Sequence, residues 1–464
     1  MKSTRKKIPQ KAYILPVLLM ALVTFLVIFS TSYYGHDNDN GHSQEPNEEQ
    51  PVSTPAPVIV QPPTTINEPP EEIEEEPEPP LEDTIISINE TDPYLTALMN
   101  YFSIKYEAVS VSLVLYDYEL RDYYTYIYGY RDFRTLRPTD IETKFCVASL
   151  SKLVTVICAM TLVDDGKLDL DKDISDYLGY EVRNPLHPEK AITVRMLMQH
   201  TSSLYDSERY LRTEGKYLPE TTQQLLESNR NYNPHEPGTH FEYSPFLAYS
   251  VIGLICEKIS EKRFDEFANE VLFSPLEIEA AFLPANLSTR NIALIYSYYE
   301  NYWLNLPTLR EQLRADNPET RESEHDRVGA NLTISALDYS KILIMLGNGG
   351  IYNDVMVLSE EAVKEIHKAN IEAPDFMQGL ATRYQNNDST PFAKSYWHPG
   401  SAWGVNSQYI HYFDETTNRG IVVLTSGTPA EWINGMHAMS TELSLIASRI
   451  FTDGFIIPAY TPDS

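Results

Sequence analysis

Ser149 and Lys152 are the residues of this chain whose types and spacing best suit nucleophilic chemistry. A serine three residues before a lysine on a helix places the hydroxyl and the amine one turn apart on the same face. At a helix N-terminus, the serine oxygen also meets the positive end of the helix dipole. A lysine shielded from water has a lowered pKa and can accept the serine's proton. Such a pair would form a nucleophile without a histidine.

The S-x-x-K spacing has little specificity by itself, because serine and lysine are both common. The chain contains it again as Ser3-Thr4-Arg5-Lys6, in a basic tail that cannot form an active site. The context of Ser149 differs, since Phe145–Ala148 precede it and the apolar run Leu153–Met160 follows, as in a buried helix. We therefore interpret Ser149 as the candidate nucleophile; the alternative is a serine without a catalytic role.

Part of the negative charge of the chain lies in one stretch near the N-terminus. The 464 residues carry a net charge of -30, and the stretch from Gln44 to Asp83 is rich in proline and glutamate, with no lysine or arginine. Low hydrophobicity and high charge prevent core formation, so residues 33–91 are predicted to be a disordered linker. An acidic chain of this kind gives no support to nucleic-acid binding.

A hydrophobic run before this linker predicts a membrane anchor over residues 1–32. Five basic residues in the first eleven precede an uncharged run from Ala12 to Ser32, which is long enough to span a bilayer as a helix. The basic residues predict a cytoplasmic N-terminus, with the rest of the chain outside. We favour this anchor over the alternative, a signal peptide cleaved at the small residues Ser30–Ser32.

The pattern of residues 92–455 predicts one folded α+β domain, followed by a tail at 456–464. Strands are predicted near both ends of the domain, at Ala108–Tyr116, Tyr123–Tyr130, Ser395–Val405, Gln408–Asp414 and Gly420–Thr425. Helical patterns dominate a sub-domain at about 162–341, and an amphipathic helix is predicted at Pro429–Phe451. The two ends would form one antiparallel sheet, with Ser149 in the cleft where the sheet meets the helical part.

The three cysteines give no sign of a disulfide framework or a metal site. Cys146, Cys158 and Cys256 all lie in apolar contexts, so we interpret them as small buried hydrophobic residues. No cluster of cysteine, histidine and carboxylate residues has the spacing of metal ligands. We expect no metal and no cofactor.

Several further stretches follow Ser149 in an order that resembles the serine beta-lactamase-related superfamily, in particular its class C beta-lactamase and DD-peptidase-like branch. They are Leu168–Asp171, Ile192–Leu204, Pro237-Gly238, Tyr243-Ser244, Ile252-Gly253 and His398–Ser401. The resemblance covers nearly all of residues 92–455. It implies a beta-lactamase/transpeptidase-like fold, in which an antiparallel sheet is flanked by helices and carries a helical sub-domain.

The resemblance also implies a role for each matched residue. Ser149 would accept the acyl group, Lys152 would activate it, and Tyr243 would be a second acid/base. The family's third motif, usually Lys-Thr-Gly or His-x-Gly, would be His398-Pro399-Gly400, and the oxyanion hole would be formed by the N–H groups of Ser149 and Ser401. We interpret His200 as structural, and Tyr249 is the next candidate if Tyr243 has no catalytic role.

Two departures from the family pattern bear on the substrate. The second motif is usually Tyr-x-Asn, but here it is Tyr243-Ser244-Pro245, so the asparagine's contact with the substrate amide is lost or moves to Ser244. His398 replaces the lysine of the third motif, and a neutral imidazole holds a carboxylate less well than an ammonium group. Pro399 is compatible with an edge strand, where no hydrogen bond is lost.

Together these features predict a membrane-anchored, extracytoplasmic serine hydrolase. The resemblance and the topology point to cell-envelope D-alanyl amides or esters, meaning cell-wall peptides or D-alanylated polymers, as in a D-alanyl-D-alanine carboxypeptidase or esterase. One alternative is a class C-like beta-lactamase or penicillin-binding sensor. Another is a catalytically silent envelope-binding protein that keeps the fold. We expect a monomer.

Overall fold

The computed structural model describes residues 83–207, 218–296, 298–299, 302–303, 322–385, 394–413, 417–429, 431–433 and 436–450. The predicted anchor at 1–32, most of the predicted linker and the tail at 456–464 lie outside these residues. No helix among the described residues is both long enough and apolar enough to span a bilayer.

A large mixed sheet forms the centre of the fold. Numbered in chain order, its strands run from one edge to the other as β1 (Thr84–Ser87), β3 (Asp122–Asp132), β2 (Ser110–Asp117), β16 (Asn418–Ser426), β15 (Val405–Phe413), β14 (Ser395–Ala402), β13 (Arg383–Gln385), β12 (Met377–Gln378) and β11 (Ile371–Glu372). A further strand, β4 (Arg137–Pro138), pairs with β3. The five predicted strands are all present, with bounds shifted by three residues at most.

The prediction of a purely antiparallel sheet was wrong at one edge. All neighbours along this order pair antiparallel except β1 and β3, which are parallel. The reason is the connection, because two helices and β2 lie between β1 and β3 along the chain. The predicted linker at 33–91 extends too far into the fold. Strand β1 pairs with Asp122–Thr125, and Ile88, which follows β1, is buried.

Among the described residues, four short two-stranded pairs lie outside the main sheet. They are β5 (Phe145–Cys146) with β8 (Thr333–Ile334), β6 (Tyr298–Tyr299) with β7 (Tyr302–Trp303), β9 (Ile351–Tyr352) with β10 (Val355–Met356), and β17 (Trp432–Ile433) with β18 (Met436–His437). The last pair corrects the helix predicted at Pro429–Phe451. In its first part, Trp432–Ile433 pairs antiparallel with Met436–His437, and the helix begins only at Ala438.

The helices of the described residues cover both faces of the sheet or form the helical part beside it. They are α1 (Ile88–Thr91), α2 (Pro93–Lys105), α3 (Ser151–Asp164), α4 (Ile174–Leu178), α5 (Val194–Met198), α6 (Pro219–Leu226), α7 (Leu247–Ser260), α8 (Phe264–Ala268), α9 (Ala336–Gly347), α10 (Glu360–His367) and α11 (Ala438–Ala447). In the described part of the predicted helical sub-domain at 162–341, helices alternate with long stretches without regular structure, and the short strands β6, β7 and β8 also lie there.

Strand β2 shows how the sheet is enclosed, because every one of its residues is buried. Val111, Leu113 and Leu115 share a hydrophobic cluster with residues of α2 and α11. The alternate residues Val114 and Tyr116 belong to the larger cluster, which contains α3, α7 and α9. Side chains on a strand alternate between its two faces, so β2 is covered by helices on both sides. The site described next lies where α3 meets β14.

Candidate active site

The turn that carries Ser149 is rigidly held. Ala148–Leu150 form a 3₁₀ turn that continues directly into α3. Every residue from 145 to 152 is buried except Ser149, which is partly exposed. Ala148 has a φ of 47°, a left-handed conformation that costs a residue other than glycine about 1 kcal/mol. The Ser151 hydroxyl secures this turn by donating to the Ala148 carbonyl at 2.6 Å.

Lys152 is fully buried at the start of α3, next to Ser149. Its Nζ lies 3.2 Å from Ser149 Oγ and donates to the Gly329 carbonyl at 2.6 Å. The same Nζ lies 5.4 Å from the ring centre of Tyr243 and 5.0 Å from that of Tyr249. Burial lowers the pKa of Lys152. More of the lysine is then free amine at neutral pH, and only the free amine can accept a proton from Ser149.

Tyr243 completes a hydrogen-bonded trio with these two residues. Its phenol donates to Ser149 Oγ at 2.8 Å. His200 packs against it, with ring centres 4.4 Å apart, and His200 Nδ1 accepts from Ser244 N at 3.3 Å. Burial holds the pKa of His200 well below its usual value. The neutral imidazole therefore fixes the Tyr243 segment in place, which agrees with the structural role predicted for His200.

Asp206 is a second support of the Tyr243 segment, and the sequence analysis did not identify it. Its carboxylate accepts from Phe246 N and Leu247 N, each at 2.8 Å, where α7 begins. Ser244 Oγ donates to the same carboxylate at 3.1 Å. A carboxylate at a helix N-terminus satisfies free N–H groups and meets the positive end of the dipole. Asp206 thereby ties the start of α7 to the loop that contains His200.

Ser244 does not take over the substrate contact predicted for it. The residue is only 1% exposed, its N–H donates to His200, and its hydroxyl donates to Asp206. The expectation was therefore wrong for this side chain. The physical reason is that the N-cap residue of α7, Phe246, provides no side-chain hydrogen bond, so Ser244 and Asp206 satisfy the N–H groups of the first turn instead.

Strand β14 lies directly against the Ser149 turn. A Cβ on Gly400 would approach Val147 O to 2.3 Å and Leu150 Cδ1 to 2.8 Å, so only glycine fits at this position. The pairing of β14 with β13 ends at Trp397, which leaves the following residues on an open edge within the described residues. The edge strand predicted around Pro399 is found only in part, because β14 lies between β15 and β13 and is open only beyond Trp397. Ser401 lies further along this edge.

Ser401 is held by its own hydrogen bond at the end of β14. Its hydroxyl donates to Asn406 Oδ1 at 2.7 Å, and Asn406 Nδ2 donates in turn to the Thr428 carbonyl at 2.8 Å. Ser401 is partly exposed, whereas Asn406 and Thr428 are buried. The strand that bears the predicted second oxyanion donor is therefore fixed beside the Ser149 turn.

His398 is buried beside Tyr243 and does not lie on the surface of the domain. It is 1% exposed, and its ring centre lies 6.3 Å from that of Tyr243. Its Nδ1 donates to the Pro399 carbonyl at 2.7 Å, while Nε2 has no hydrogen-bond partner in the part of the chain that is described. Burial, followed by the charges of Arg383 and Lys152, holds the pKa of His398 well below its usual value. The imidazole is therefore neutral.

Arg383 is the cation that the sequence analysis missed. It lies on β13 opposite Trp397, and its guanidinium carbon is 4.3 Å from the ring centre of Phe376 and 5.2 Å from that of Trp397. The ring of Tyr243 is 5.8 Å away. Across the described ranges Arg383 has no carboxylate partner, and its Nε makes no hydrogen bond. An arginine on a three-residue strand gives no sequence signal, so only the fold reveals its position.

The structure thus brings Ser149, Lys152 and Tyr243 into contact and places His398 and Gly400 beside them, whereas Ser244 faces away. Comparison with known proteins identifies the family to which the chain belongs. A family model described as Beta-lactamase matches residues 95–441, which is most of the chain. The chain therefore belongs to the beta-lactamase family.

Individual relatives are distant. Protein flp of Staphylococcus aureus (strain N315) is 25% identical over 173 residues, which are 36% of this chain and 34% of flp. Protein Rv1367c of Mycobacterium tuberculosis (strain ATCC 25618 / H37Rv) is 29% identical over 260 residues, 51% of this chain and 62% of the relative. The match thus spans about a third of the length of flp.

Solved structures share the fold at lower identity. The octameric penicillin-binding protein homologue of Pyrococcus abyssi has a TM-score of 0.62 and 20% identity, and the alignment covers 77% of this chain and 76% of that one. The D-amino acid amidase of Ochrobactrum anthropi SV3 has a TM-score of 0.59 and 18% identity, with coverage of 77% and 99%.

Proposed function

We propose that this protein is a serine hydrolase that acts through an acyl-enzyme on Ser149. The observation that carries the proposal is the position of Ser149 Oγ, which lies 3.2 Å from the Lys152 amine and 2.8 Å from the Tyr243 phenol. Ser149 is also the exposed member of an otherwise buried stretch. A nucleophile needs both access to substrate and a base within hydrogen-bond reach.

In the proposed reaction, Ser149 Oγ bonds to the substrate carbonyl carbon while its proton passes to Lys152 Nζ. The carbonyl electrons move to oxygen, where the N–H groups of Ser149 and Ser401 would stabilise the charge. Collapse of this intermediate breaks the bond to the leaving amine or alcohol, which takes a proton from Tyr243. Lys152 returns a proton to Tyr243, and water then hydrolyses the ester on Ser149 by the reverse sequence.

The proposed substrates are D-alanyl amides or esters of the cell envelope, of the DD-carboxypeptidase or esterase type. Arg383 supports a substrate with a carboxylate, because a guanidinium held among aromatic rings with no acidic partner in the described residues is suited to binding an anion. It would supply the positive charge that neutral His398 lacks. Among proteins of the same fold, one is a D-amino acid amidase, which is compatible with an amide substrate for this chain.

We expect Arg383→Ala to lower kcat/KM for a D-alanyl-D-alanine peptide by about tenfold to a hundredfold, the usual cost of losing a charge-assisted hydrogen bond. The same peptide with a methylated carboxylate is the matched control, and its kcat/KM should change by less than about threefold, because no ion pair is lost. Arg383→Lys should retain part of the activity. Equal losses for the two peptides would show that Arg383 does not bind the carboxylate.

Two alternatives remain separable by simple assays. Turnover of a chromogenic cephalosporin at the rate of a D-alanyl peptide or ester would favour a class C-like beta-lactamase, and a stable adduct without turnover would favour a penicillin-binding sensor. The altered second motif favours the catalytically silent alternative. Pro245 replaces the asparagine whose side-chain amide would contact the substrate, and Ser244 is buried, so it does not replace that contact. Absence of any reaction with a fluorophosphonate probe would support that alternative.

The proposed location is the outer face of the cell membrane. The uncharged run at 12–32, which lies outside the described residues, would anchor the chain, and the proline-rich segment after it would act as a tether. In fractionated cells, we expect the full chain in the membrane, with external protease releasing the catalytic domain. A soluble product that begins near Tyr33 would instead identify a cleaved signal peptide.

A further inference from the structure

A cluster of acidic side chains lies in the helical part of the domain, outside the proposed active site. Asp265 of α8 and Glu324 are buried, and Glu257 of α7 is partly buried. Asp265 N donates to Glu324 Oε2 at 2.8 Å, and Glu324 N donates to Glu257 Oε1 at 2.8 Å. The segment that begins at Ser323 is thus attached to two helices through carboxylates.

A hydrogen-bonded chain extends from this cluster through Glu257, Ser323, His325 and Thr222. Ser323 Oγ contacts Glu257 Oε2 and also lies 2.5 Å from His325 Nδ1, while His325 Nε2 lies 2.7 Å from Thr222 Oγ1. The serine hydroxyl has one proton, so it cannot donate to Glu257 and to His325 at once. When Glu257 is protonated, it donates to Ser323 and His325 Nδ1 accepts. When Glu257 is ionised, Ser323 donates to it and His325 Nδ1 must carry the proton.

The same segment reaches the proposed active site a few residues later. Val328 O accepts from Thr155 Oγ1 at 2.7 Å, and Gly329 O accepts from Lys152 Nζ at 2.6 Å. A Cβ on Gly329 would lie 2.9 Å from Pro245 O, in the loop that follows Tyr243. Displacing the Ser323 end would therefore move the carbonyl that orients Lys152, because close-packed segments transmit small shifts.

We propose that Glu257 is a positioning residue whose protonation state sets the direction of the Glu257–Ser323–His325–Thr222 hydrogen-bonded chain and, through the segment from Ser323 to Gly329, the placement of Lys152. The coupling to Lys152 rests on the proposed function, whereas the reversal of the hydrogen bonds from Glu257 to Thr222 does not.

The surroundings of Glu257 favour titration near neutral pH. Burial, opposed by its hydrogen bonds, raises the pKa of Glu257 to about 7, and burial with the charge of Glu324 raises that of Asp265 to about 7. Arg263 Nη1, 3.7 Å from Glu324 Oε1, is a nearby cation, and His325 faces Glu257 across Ser323. The thiols of Cys158 and Cys256 also lie in this region, and burial raises the pKa of both. Ionisation of Glu257 adds a negative charge beside Glu324 and reverses the hydrogen bond between Glu257 and Ser323, so the position of the segment should differ below and above pH 7.

The direction of the hydrogen-bonded chain is tested with ¹⁵N-histidine-labelled full-length protein and with the Glu257→Gln variant. The amide of this variant can donate to Ser323 at every pH. A variant lacking His325 assigns its imidazole signals. We expect His325 in the wild type to change from an Nε2–H to an Nδ1–H tautomer, with a midpoint near pH 7, and to show no such change in Glu257→Gln. A wild-type tautomer that is constant from pH 5 to 9, or the same change in both proteins, would overturn the proposal.

The coupling to Lys152 is measured separately, as the rate of fluorophosphonate labelling against pH. Between pH 7 and 9 we expect the labelling rate of Glu257→Gln to differ from that of the wild type by about fivefold, a typical coupling between distant sites. The Glu266→Gln variant, which makes the same change at an exposed position on α8, should follow the wild type. Superimposed profiles for Glu257→Gln and the wild type would refute the coupling.

If Glu257→Gln fails to fold, the Ser323→Ala variant provides a second test. It removes the hydroxyl that links Glu257 to His325 and should likewise abolish the tautomer change. If no variant labels at all, the proposed function fails. The tautomer measurement then still tests whether the direction of the hydrogen bonds depends on the protonation of Glu257.

Discussion

Replacing Ser149 with alanine is expected to abolish covalent labelling by a fluorophosphonate probe and to leave the fold intact. The probe reacts with an activated serine hydroxyl, and Ser149 is the partly exposed serine whose Oγ contacts both Lys152 and Tyr243. Stability should change by less than about 1 kcal/mol, because a small change at a partly exposed position removes little packing. Intact-mass spectrometry before and after treatment measures the adduct, and thermal unfolding measures the fold.

The chain supplies its own matched control for this experiment. Ser3 begins the other S-x-x-K sequence, so Ser3→Ala removes the same motif where no active site is expected. This variant should label as fully as the wild type. An adduct of equal mass and yield on Ser149→Ala would show that another residue is the nucleophile.

Removing either proton-transferring group should reduce turnover by about two orders of magnitude or more, as is usual for general acids and bases. Lys152→Ala deletes the buried amine, and Lys152→Met does so with little loss of volume. Tyr243→Phe deletes only the phenol oxygen that donates to Ser149. Activity should also fall as the pH is lowered, because burial lowers the pKa of Lys152 and only its unprotonated form can act as the base. Steady-state kinetics of the three variants over a range of pH provide the measurement.

Tyr249→Phe is the matched control for Tyr243→Phe. Tyr249 also packs beside the Lys152 amine, at 5.0 Å from its ring centre, but its phenol donates to the Met198 carbonyl at 3.3 Å. Its loss should therefore leave turnover within about threefold of the wild type, since it removes one neutral hydrogen bond. The reverse result, with Tyr243→Phe active and Tyr249→Phe impaired, would move the acid/base role to Tyr249.

The features that depend on residues close together in the sequence could be predicted from it. Runs rich in β-branched and aromatic residues predict the long strands β2, β3, β14, β15 and β16, because such residues favour extended backbone. The spacing of Ser149 and Lys152 is likewise local to one helical turn. The pairing of β17 with β18 was missed, although the sequence between the two strands is Asn434-Gly435, a dipeptide that strongly favours a tight turn.

Contacts between distant segments could not be derived in this way. Asp206 bonds to Ser244 across 38 residues, and nothing in its own neighbourhood indicates that it caps a later helix. Arg383 acquires its place beside Tyr243 only through pairing of a three-residue strand with β14. The strands β11 and β12 have two residues each, which is too short for any periodic pattern. These features depend on tertiary packing, which overrides weak local preferences.

The parallel pairing of β1 has a mechanical consequence. The chain enters the sheet through this four-residue edge strand, and β14 lies five strand spacings away, or about 24 Å at 4.8 Å per spacing. A pulling force transmitted along the preceding chain would therefore load β1 first, far from the Ser149 turn. Since β1 and β3 share only four paired positions, this contact should yield before the longer central strands do. The edge strand would then detach first, so that less of the tension would reach the cleft that contains Ser149.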